Sequence, residues 1–157
     1  MQKRILGSEA VIGTDDTSTW LDLESLARVE LSSEDPDHPI EAAFRPGSGS
    51  GWRAASPGRQ IIRLIFTVPQ ALRRIRLVID EATHQRTQEF ALTWAEAMGA
   101  PQREIVRQQF TFSPPNTTQQ VEDYHVELAG VSIIELQIIP DISGSPLLAS
   151  LATFQLA

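Results

Sequence analysis

The stretch GSGSGWRAASPG, residues 47–58, places a tryptophan and an arginine directly after a run of glycine and serine. The ring of Trp52 offers a flat apolar surface on which a planar group or a sugar can stack, and the guanidinium of Arg53 can donate hydrogen bonds to hydroxyls or a carboxylate. Arg59, which follows the stretch, adds a second donor of the same kind. The residue types therefore predict a ligand-binding loop. The alternative reading is that Trp52 covers the end of a hydrophobic core.

Nucleotide binding is excluded for this stretch by its spacing. A phosphate loop of the Walker type requires a second glycine followed by lysine and Ser or Thr, but Trp52 stands at the position of that glycine and the stretch contains no lysine. A dinucleotide fingerprint requires a strand before it and a helix after it, whereas the apolar pattern that follows Gly58 is that of a strand. The stretch is therefore predicted to be a loop between two strands.

Two further groups of polar residues are weaker candidates. The segment DEATHQR, residues 80–86, carries Glu81 and Arg86 and is predicted to add to the ligand-binding loops. Asp35, Asp37 and Asp141 lie in proline-punctuated segments whose oxygen atoms are of the kind that calcium prefers. Neither acidic segment has the alternating ligands and glycine of an EF-hand loop, so solvated turns are the alternative reading.

Composition restricts the remaining function classes. The net charge of -7 and a pI near 4.9 argue against binding to nucleic acid or to an anionic membrane surface. The absence of cysteine excludes disulfides, thiolate catalysis and cysteine-type metal sites. No segment has the roughly 20 apolar residues of a membrane span, and no secretory signal is recognisable. We expect a cytoplasmic protein without membrane insertion, and without a cofactor other than a candidate structural calcium.

From residue 60 onward, apolar residues recur with a period of two, which is typical of strands with one buried face. The segment RRIRLVID shows it well, with Ile75, Leu77 and Ile79 on one face. Short turn-like breaks, such as Val68 to Gln70 and Ala129-Gly130, leave no room for helices and favour antiparallel pairing. The predicted strands are 60–67, 73–80, 87–94, 103–113, 117–128, 131–139 and 149–157, preceded by strands at ARVELSS (27–33) and IEAAF (40–44) and by WLDLESLA (20–27) as a short helix or an extended segment.

Arginines are concentrated in the predicted strands. They could line an anion-binding groove, but opposite charges on neighbouring strands usually form cross-strand pairs. We predict pairing with nearby carboxylates. The arginines are Arg63, Arg74, Arg76, Arg86, Arg103 and Arg107, and the expected partners are Glu81, Glu89, Glu104, Glu122 and Glu135.

The order of these segments resembles the galactose-binding-like domains, a group that includes discoidin and coagulation-factor C-type modules and many carbohydrate-binding modules. The matching features are Ser32 and Ser33 at a strand end, the loop tryptophan Trp52, the strand that ends before Pro69, and the strand from Arg74 to Ile79. The resemblance covers most of residues 27–157. It implies an all-β jelly-roll sandwich of about eight strands, with ligands bound by loops at one end.

The resemblance also implies a calcium ion in many members, which commonly carry a glutamate in the last strand. This chain has Thr153 there. Within the group, many members bind glycans and others bind lipid head groups or proteins.

We therefore predict one domain over 1–157, with 1–26 as an N-terminal segment packed on the sandwich. Its predicted function is non-catalytic carbohydrate binding through Trp52, Arg53 and Arg59, with Glu81 and Arg86 as weaker contacts. The alternative is an intracellular protein-interaction or scaffold domain that uses the arginine-bearing sheet face or a sandwich edge. Hydrolysis is disfavoured because no nucleophile or paired-acid setting is recognisable. The sequence does not determine the oligomeric state.

Overall fold

A computed structural model describes residues 20–45, 47 and 50–157 of the chain. None of the helices in these ranges is long and apolar enough to cross a membrane. In chain order, the elements are α1 (Leu23–Leu26), β1 (Ala27–Leu31), α2 (Glu41–Phe44), β2 (Trp52–Arg53), β3 (Gln60–Asp80), β4 (Arg86–Ala95), β5 (Arg103–Phe112), β6 (Gln119–Ile139), β7 (Ser150–Leu151) and β8 (Thr153–Leu156).

Two long antiparallel strands, β3 and β6, form the frame of the molecule. Their ladder is regular at both ends and irregular between Ile65 and Arg74 of β3, where the register shifts. The irregular part contains the Val68-Pro69 pair in β3, and Gly130, with φ of 70°, lies in the facing part of β6. The positions predicted as turns are therefore bends inside continuous strands, because proline and glycine interrupt the ladder at the same level on both strands.

The bend divides the strands into two layers. In the first layer, β1, the first half of β3, the second half of β6, β4 and β5 lie side by side. In the second layer, β8, the second half of β3 and the first half of β6 pair. One buried cluster joins residues of both layers, such as Leu92 and Ile134 of the first with Leu77 and Phe154 of the second. The predicted all-β sandwich of about eight strands is confirmed.

Three segments depart from the sequence-based expectation. IEAAF is not a strand, since Glu41–Phe44 forms the short helix α2 and buries Ile40 and Ala43, which lie one helical turn apart. The segment 149–157 is two strands, because β7 pairs with β2 whereas β8 pairs with β3. WLDLESLA contains the helix α1, one of the two alternatives.

The N-terminal segment 1–26 is described only from residue 20. In that part, the Leu21 N–H donates to the carbonyl of Leu156 at 2.8 Å, and Leu23 is buried in the core. These contacts place residues 20–26 against β8. Residues 1–19 lie outside the described ranges.

Candidate ligand-binding cleft

Three loops meet at the end of the second layer and enclose a cleft of about 490 Å³. They are residues 50–53, 80–84 and 146–152. The loops are held together because β2 pairs with β7, and the Ala152 N–H, just after β7, donates to the Val78 carbonyl of β3 at 2.8 Å. The cleft is therefore built by segments far apart in sequence.

Trp52 lies behind this cleft and has no exposed surface. Its indole Nε1 donates to the carbonyl of Ser33 at 3.2 Å, and its backbone pairs with Leu151. A sugar cannot stack on a ring that is packed on all sides. The predicted stacking role of Trp52 is wrong, and the alternative reading, a tryptophan that closes the end of the core, describes its position.

Gly51 explains how the loop can come so close to β7. Its φ is +82°, and a Cβ at this position would lie 2.3 Å from the carbonyl oxygen of Leu151 and 2.6 Å from the Cα of Ala152. Both neighbours are backbone atoms, which cannot rotate away. Glycine is therefore required here by space as well as by backbone conformation.

Replacing Gly51 with alanine is expected to disrupt the pairing of β2 with β7 and to lower stability by more than the cost of the left-handed backbone conformation alone, which is about 1–2 kcal/mol. Gly58→Ala is the matched control, because Gly58 has φ of +89° but no atom within 4 Å of the added Cβ. Urea unfolding of both variants measures the difference. Equal losses would show that the close approach at Gly51 is not a constraint.

Arg53 is exposed at the lip of the cleft while its backbone is fixed. Its N–H donates to the carbonyl of His38 at 3.2 Å, and its own carbonyl accepts from the Asp35 N–H at 2.9 Å. Across the described ranges, the guanidinium forms neither a salt bridge nor a side-chain hydrogen bond. Ser50, also at the lip, is bonded to the Nδ1 of His38 at 2.6 Å. Arg53 is thus a cation with free donors in an anchored position.

Glu81 forms the opposite side of the cleft and is only 12% exposed at its side chain. One oxygen accepts from Arg86 at 2.7 Å, and the other accepts from the backbone N–H groups of Thr83 and His84 at 3.1 and 3.0 Å. Burial acts to raise the pKa of Glu81, but these hydrogen bonds outweigh it and lower the pKa to about 2. Glu81 is therefore a fixed carboxylate at neutral pH.

Arg86 cannot contact a ligand, because its side chain is 1% exposed. Besides Glu81, it donates to the carbonyl of Pro140 at 2.8 Å and to Gln88 at 3.2 Å, and its guanidinium lies 4.7 Å from the ring centre of Phe112. The predicted ligand contact by Arg86 is wrong. Its role is to hold Glu81 and the turn that lines the cleft.

Arg59 is not brought to the cleft. It is exposed, donates to the side-chain oxygen of Gln137, and borders a separate depression on the first layer together with Glu89 and Arg107. The sequence neighbours Arg53 and Arg59 are separated because the chain passes from β2 in the loop region to the start of β3 in the first layer. The structure therefore does not support Arg59 as part of the same site.

The predicted pairing of the arginines with carboxylates is confirmed, but Arg74, Arg76 and Arg103 use Asp123 and Glu96, which were not among the expected partners. Arg63 bridges Glu30 and Glu135, both at 2.9 Å, and burial of Glu135 is outweighed by hydrogen bonds from Gln137 and Arg63, which lower its pKa. The other pairs are Arg74 and Arg76 with Asp123, Arg86 with Glu81, Arg103 with Glu96, and Arg107 with Glu89 and Glu104. Glu122 differs, since it accepts from Gln108 and Gln120. These arginines are consequently neutralised by carboxylates and do not line one anion groove.

Two of the three calcium candidates, Asp35 and Asp141, hold turns in the chain with their carboxylates. Asp35 accepts from the Asp37 N–H at 2.9 Å, and Asp141 accepts from Ser143 and Ser145 at 3.1 and 2.5 Å. Within the described part of the chain, no three His, Cys, Asp or Glu residues are grouped so that they could hold a metal. The donors do not fit a calcium site, and calcium binding stays a prediction without a ligand set.

The sequence reasoning missed several polar residues of the cleft. Asp80, Thr83 and His84 lie in the same DEATHQR segment as Glu81, and Ser50 and Ser150 come from the other two loops. The signal was present, because a strand that ends in Asp-Glu and is followed by Thr-His carries four polar groups in one turn. Pro146, Leu147 and Leu148 add an apolar side to the cleft.

Comparison with known proteins is informative at the level of structure. No protein-family model matches the chain, and no curated protein is similar to it in sequence. The family 32 carbohydrate-binding module of NanJ from Clostridium perfringens, solved in complex with galactose, superposes with a TM-score of 0.61 at 12% identity, over 88% of this chain and 97% of that one.

Two further structures show the breadth of the likeness. The family 32 module of AlyQ, in complex with 4,5-unsaturated mannuronic acid, has a TM-score of 0.59 at 17% identity over 88% of this chain and 98% of that one. XRCC1, bound to the catalytic domain of DNA polymerase beta, has a TM-score of 0.60 at 13% identity over 84% of this chain and 96% of that one. The chain thus has the galactose-binding-like sandwich fold of the family 32 carbohydrate-binding modules, in agreement with the resemblance seen in its sequence.

Proposed function

We propose that the protein is a non-catalytic carbohydrate-binding module whose ligand occupies the cleft between Arg53 and Glu81. The observation that carries the proposal is the composition of this cleft. A guanidinium that has no partner among the described residues stands at one side, a carboxylate with fixed acceptors stands at the other, and both face a volume of about 490 Å³. Donors and acceptors set around a concave site fit the hydroxyl groups of a sugar.

The binding mode follows from what lines the cleft. Trp52 is buried, so a sugar would gain little from aromatic stacking there. The apolar side of Pro146, Leu147 and Leu148 offers instead a surface for the C–H face of a sugar, with Leu148 38% exposed. Binding would depend mainly on hydrogen bonds to Arg53, Glu81 and the neighbouring hydroxyls, which favours a modest affinity.

A catalytic role is disfavoured by the state of Glu81. Glycoside hydrolysis requires a carboxylic acid that is protonated near working pH, and such an acid has a raised pKa. The pKa of Glu81 is lowered to about 2 by Arg86 and the backbone donors despite its burial. The best-placed carboxylate of the cleft is thus able to accept a hydrogen bond but not to donate a proton.

Replacing Arg53 with alanine is expected to weaken glycan binding by about ten-fold or more, because a hydrogen bond to a charged donor is lost. The measurement is a glycan array, followed by titration of the bound glycans with tryptophan fluorescence. Galactose and GalNAc-β-1,3-galactose, the ligands in two of the similar structures, serve as first probes.

Arg59→Ala is the matched control, since both arginines are exposed but Arg59 borders a different depression. It should leave the dissociation constant unchanged. If the protein binds no glycan on the array, the proposed function is wrong. An equal loss of binding in both variants would show that the sugar does not occupy the cleft.

A second candidate function is protein binding, which is favoured by the likeness to XRCC1 in its complex with a polymerase domain. On this chain the arginine-bearing sheet face is occupied by internal ion pairs. A partner would therefore meet an edge of the sandwich instead of that face.

A further inference from the structure

Strand β1 forms an edge of the first layer in the part of the chain that the structure describes. There it pairs with β3 alone and is the last strand of the sheet order. The Ser32 N–H donates to the carbonyl of Ile61 in β3 at 3.0 Å. Alternate residues of an antiparallel strand bond to the same neighbour, so the β1 residues an even number of positions before Ser32 also bond to β3, and those between them point their backbone groups away from it. Val29 and Leu31 accordingly direct their N–H and C=O groups outward, and no hydrogen bond between described residues occupies them.

A groove lined by five apolar residues and three glutamates runs along the same edge. It measures about 390 Å³ and lies between β1 and α2. The side chains of Ala27, Val29 and Leu31 form one wall, and Ile40 and Phe44 form the other. In a sheet, residues directly opposite each other on paired strands point to the same face. A residue paired with Val29 by an added strand would thus place its side chain over this groove.

Three glutamates give the groove an excess of negative charge. Glu24, Glu34 and Glu41 line it. Glu24 is paired with Arg45, and one oxygen of Glu34 accepts from the Ile40 N–H at 2.9 Å, so among the described residues one cation opposes the three carboxylates. The order along the chain puts Glu24 beside the start of β1 and Glu34 beyond its end. Glu34 and Glu41 have no ion-pair partner among the described residues, so a groove that joins apolar side chains to this excess of carboxylates is complementary to an apolar side chain flanked by cations.

We propose that β1 is a docking edge for an extended peptide with the pattern basic-x-apolar-x-basic, which adds to the sheet as an antiparallel strand. Main-chain hydrogen bonds to Val29 and Leu31 supply the affinity, and the groove with its glutamates supplies the sequence preference. Antiparallel addition continues the pattern of the neighbouring ladders. The docking edge is separate from the cleft at Arg53 and does not depend on sugar binding.

The test is titration of the protein with the fluorescently labelled heptapeptide SKSLSKS, followed by anisotropy. The same peptide with methylated amides at the leucine and both lysines keeps every side chain but loses the donors that face β1, and it should bind about ten-fold more weakly or worse. The peptide SESLSES, with reversed charge, should also bind more weakly. Added salt should reduce binding of the lysine peptide.

Glu41→Lys is the protein variant that probes the groove, and it should weaken binding of SKSLSKS by about three-fold or more. Glu127→Lys, the same charge change at an exposed position of β6 outside the groove, is its control. Equal binding of the methylated peptide, or equal effects of the two variants, would overturn the proposal. The proposal would also be overturned if light scattering showed a dimer that does not bind the peptide, because a second copy of the chain would then occupy the edge.

Discussion

Trp52→Ala is expected to lower the free energy of unfolding by about 3–5 kcal/mol, the usual cost of truncating a buried tryptophan. The side chain has no exposed surface, so its removal leaves a cavity at the end of the sandwich that the flanking backbone cannot fill. The indole N–H bond to the Ser33 carbonyl is lost as well. Urea unfolding, followed by circular dichroism, measures the change.

Two other variants separate the causes of this loss. Trp52→Phe keeps an aromatic ring but loses the N–H donor, and it should fall between wild type and Trp52→Ala. Trp20→Ala removes a half-buried tryptophan that stacks on Arg74 at 4.8 Å, so it should cost clearly less. If Trp52→Ala lowers the free energy of unfolding by less than about 1 kcal/mol relative to wild type, the ring is not part of the core. That result would also reopen the stacking role.

The strands were predictable because their signal is local. Ile75, Leu77 and Ile79 recur with a period of two, with Arg76 and Asp80 on the opposite face, and all three are buried in the second layer. The bends were not predictable as bends, because Pro69 and Gly130 look like turns when each is read alone. Only their alignment across the β3–β6 ladder lets both strands continue through the irregular region. That alignment is a property of pairing between distant residues.

The helix at residues 41–44 was missed for a different reason. A run of five residues is too short to distinguish a period of two from a period of 3.6. Ile40 and Ala43 are buried, and Phe44 packs at 6.3 Å from the ring centre of Phe154 in β8. Tertiary packing against the second layer therefore selects the helix.

The candidate site, too, could not be predicted from local sequence patterns alone. Arg53 and Glu81 were recognised as single residues, each in a polar loop, but the cleft between them exists only because β2 pairs with β7 beside the end of β3. The glycine- and serine-rich sequence before Trp52 left two readings open, a stacking surface for a ligand and a side chain that closes the core. The burial of Trp52 depends on the close approach that Gly51 permits, and no local pattern reports that contact.

Arg86→Ala is expected to cost about 3–5 kcal/mol at neutral pH, because breaking a buried ion pair leaves an uncompensated charge. The Glu81 carboxylate, the Pro140 carbonyl and Gln88 would all lose a donor. The chain of hydrogen bonds that continues from Gln88 to Gln120 and on to Glu122 would lose its anchor. Arg107→Ala, which removes an exposed ion-paired arginine, is the control and should cost much less.

The cost of Arg86→Ala is expected to depend on pH through the ionisation of Glu81. Burial opposes the effect, but Arg86 and the backbone donors lower the folded-state pKa of Glu81 from 4.5 to about 2. The stabilisation is therefore fully present above about pH 4.5 and is lost as pH falls towards 2. Without Arg86, burial of Glu81 favours its protonated form, so acidification relieves the buried charge. Urea unfolding at pH 7 and at about pH 3 measures the difference in free energy of unfolding between wild type and Arg86→Ala, and this difference should be smaller at the lower pH. A difference that stays constant or grows would contradict the assignment of Glu81 as the partner of Arg86.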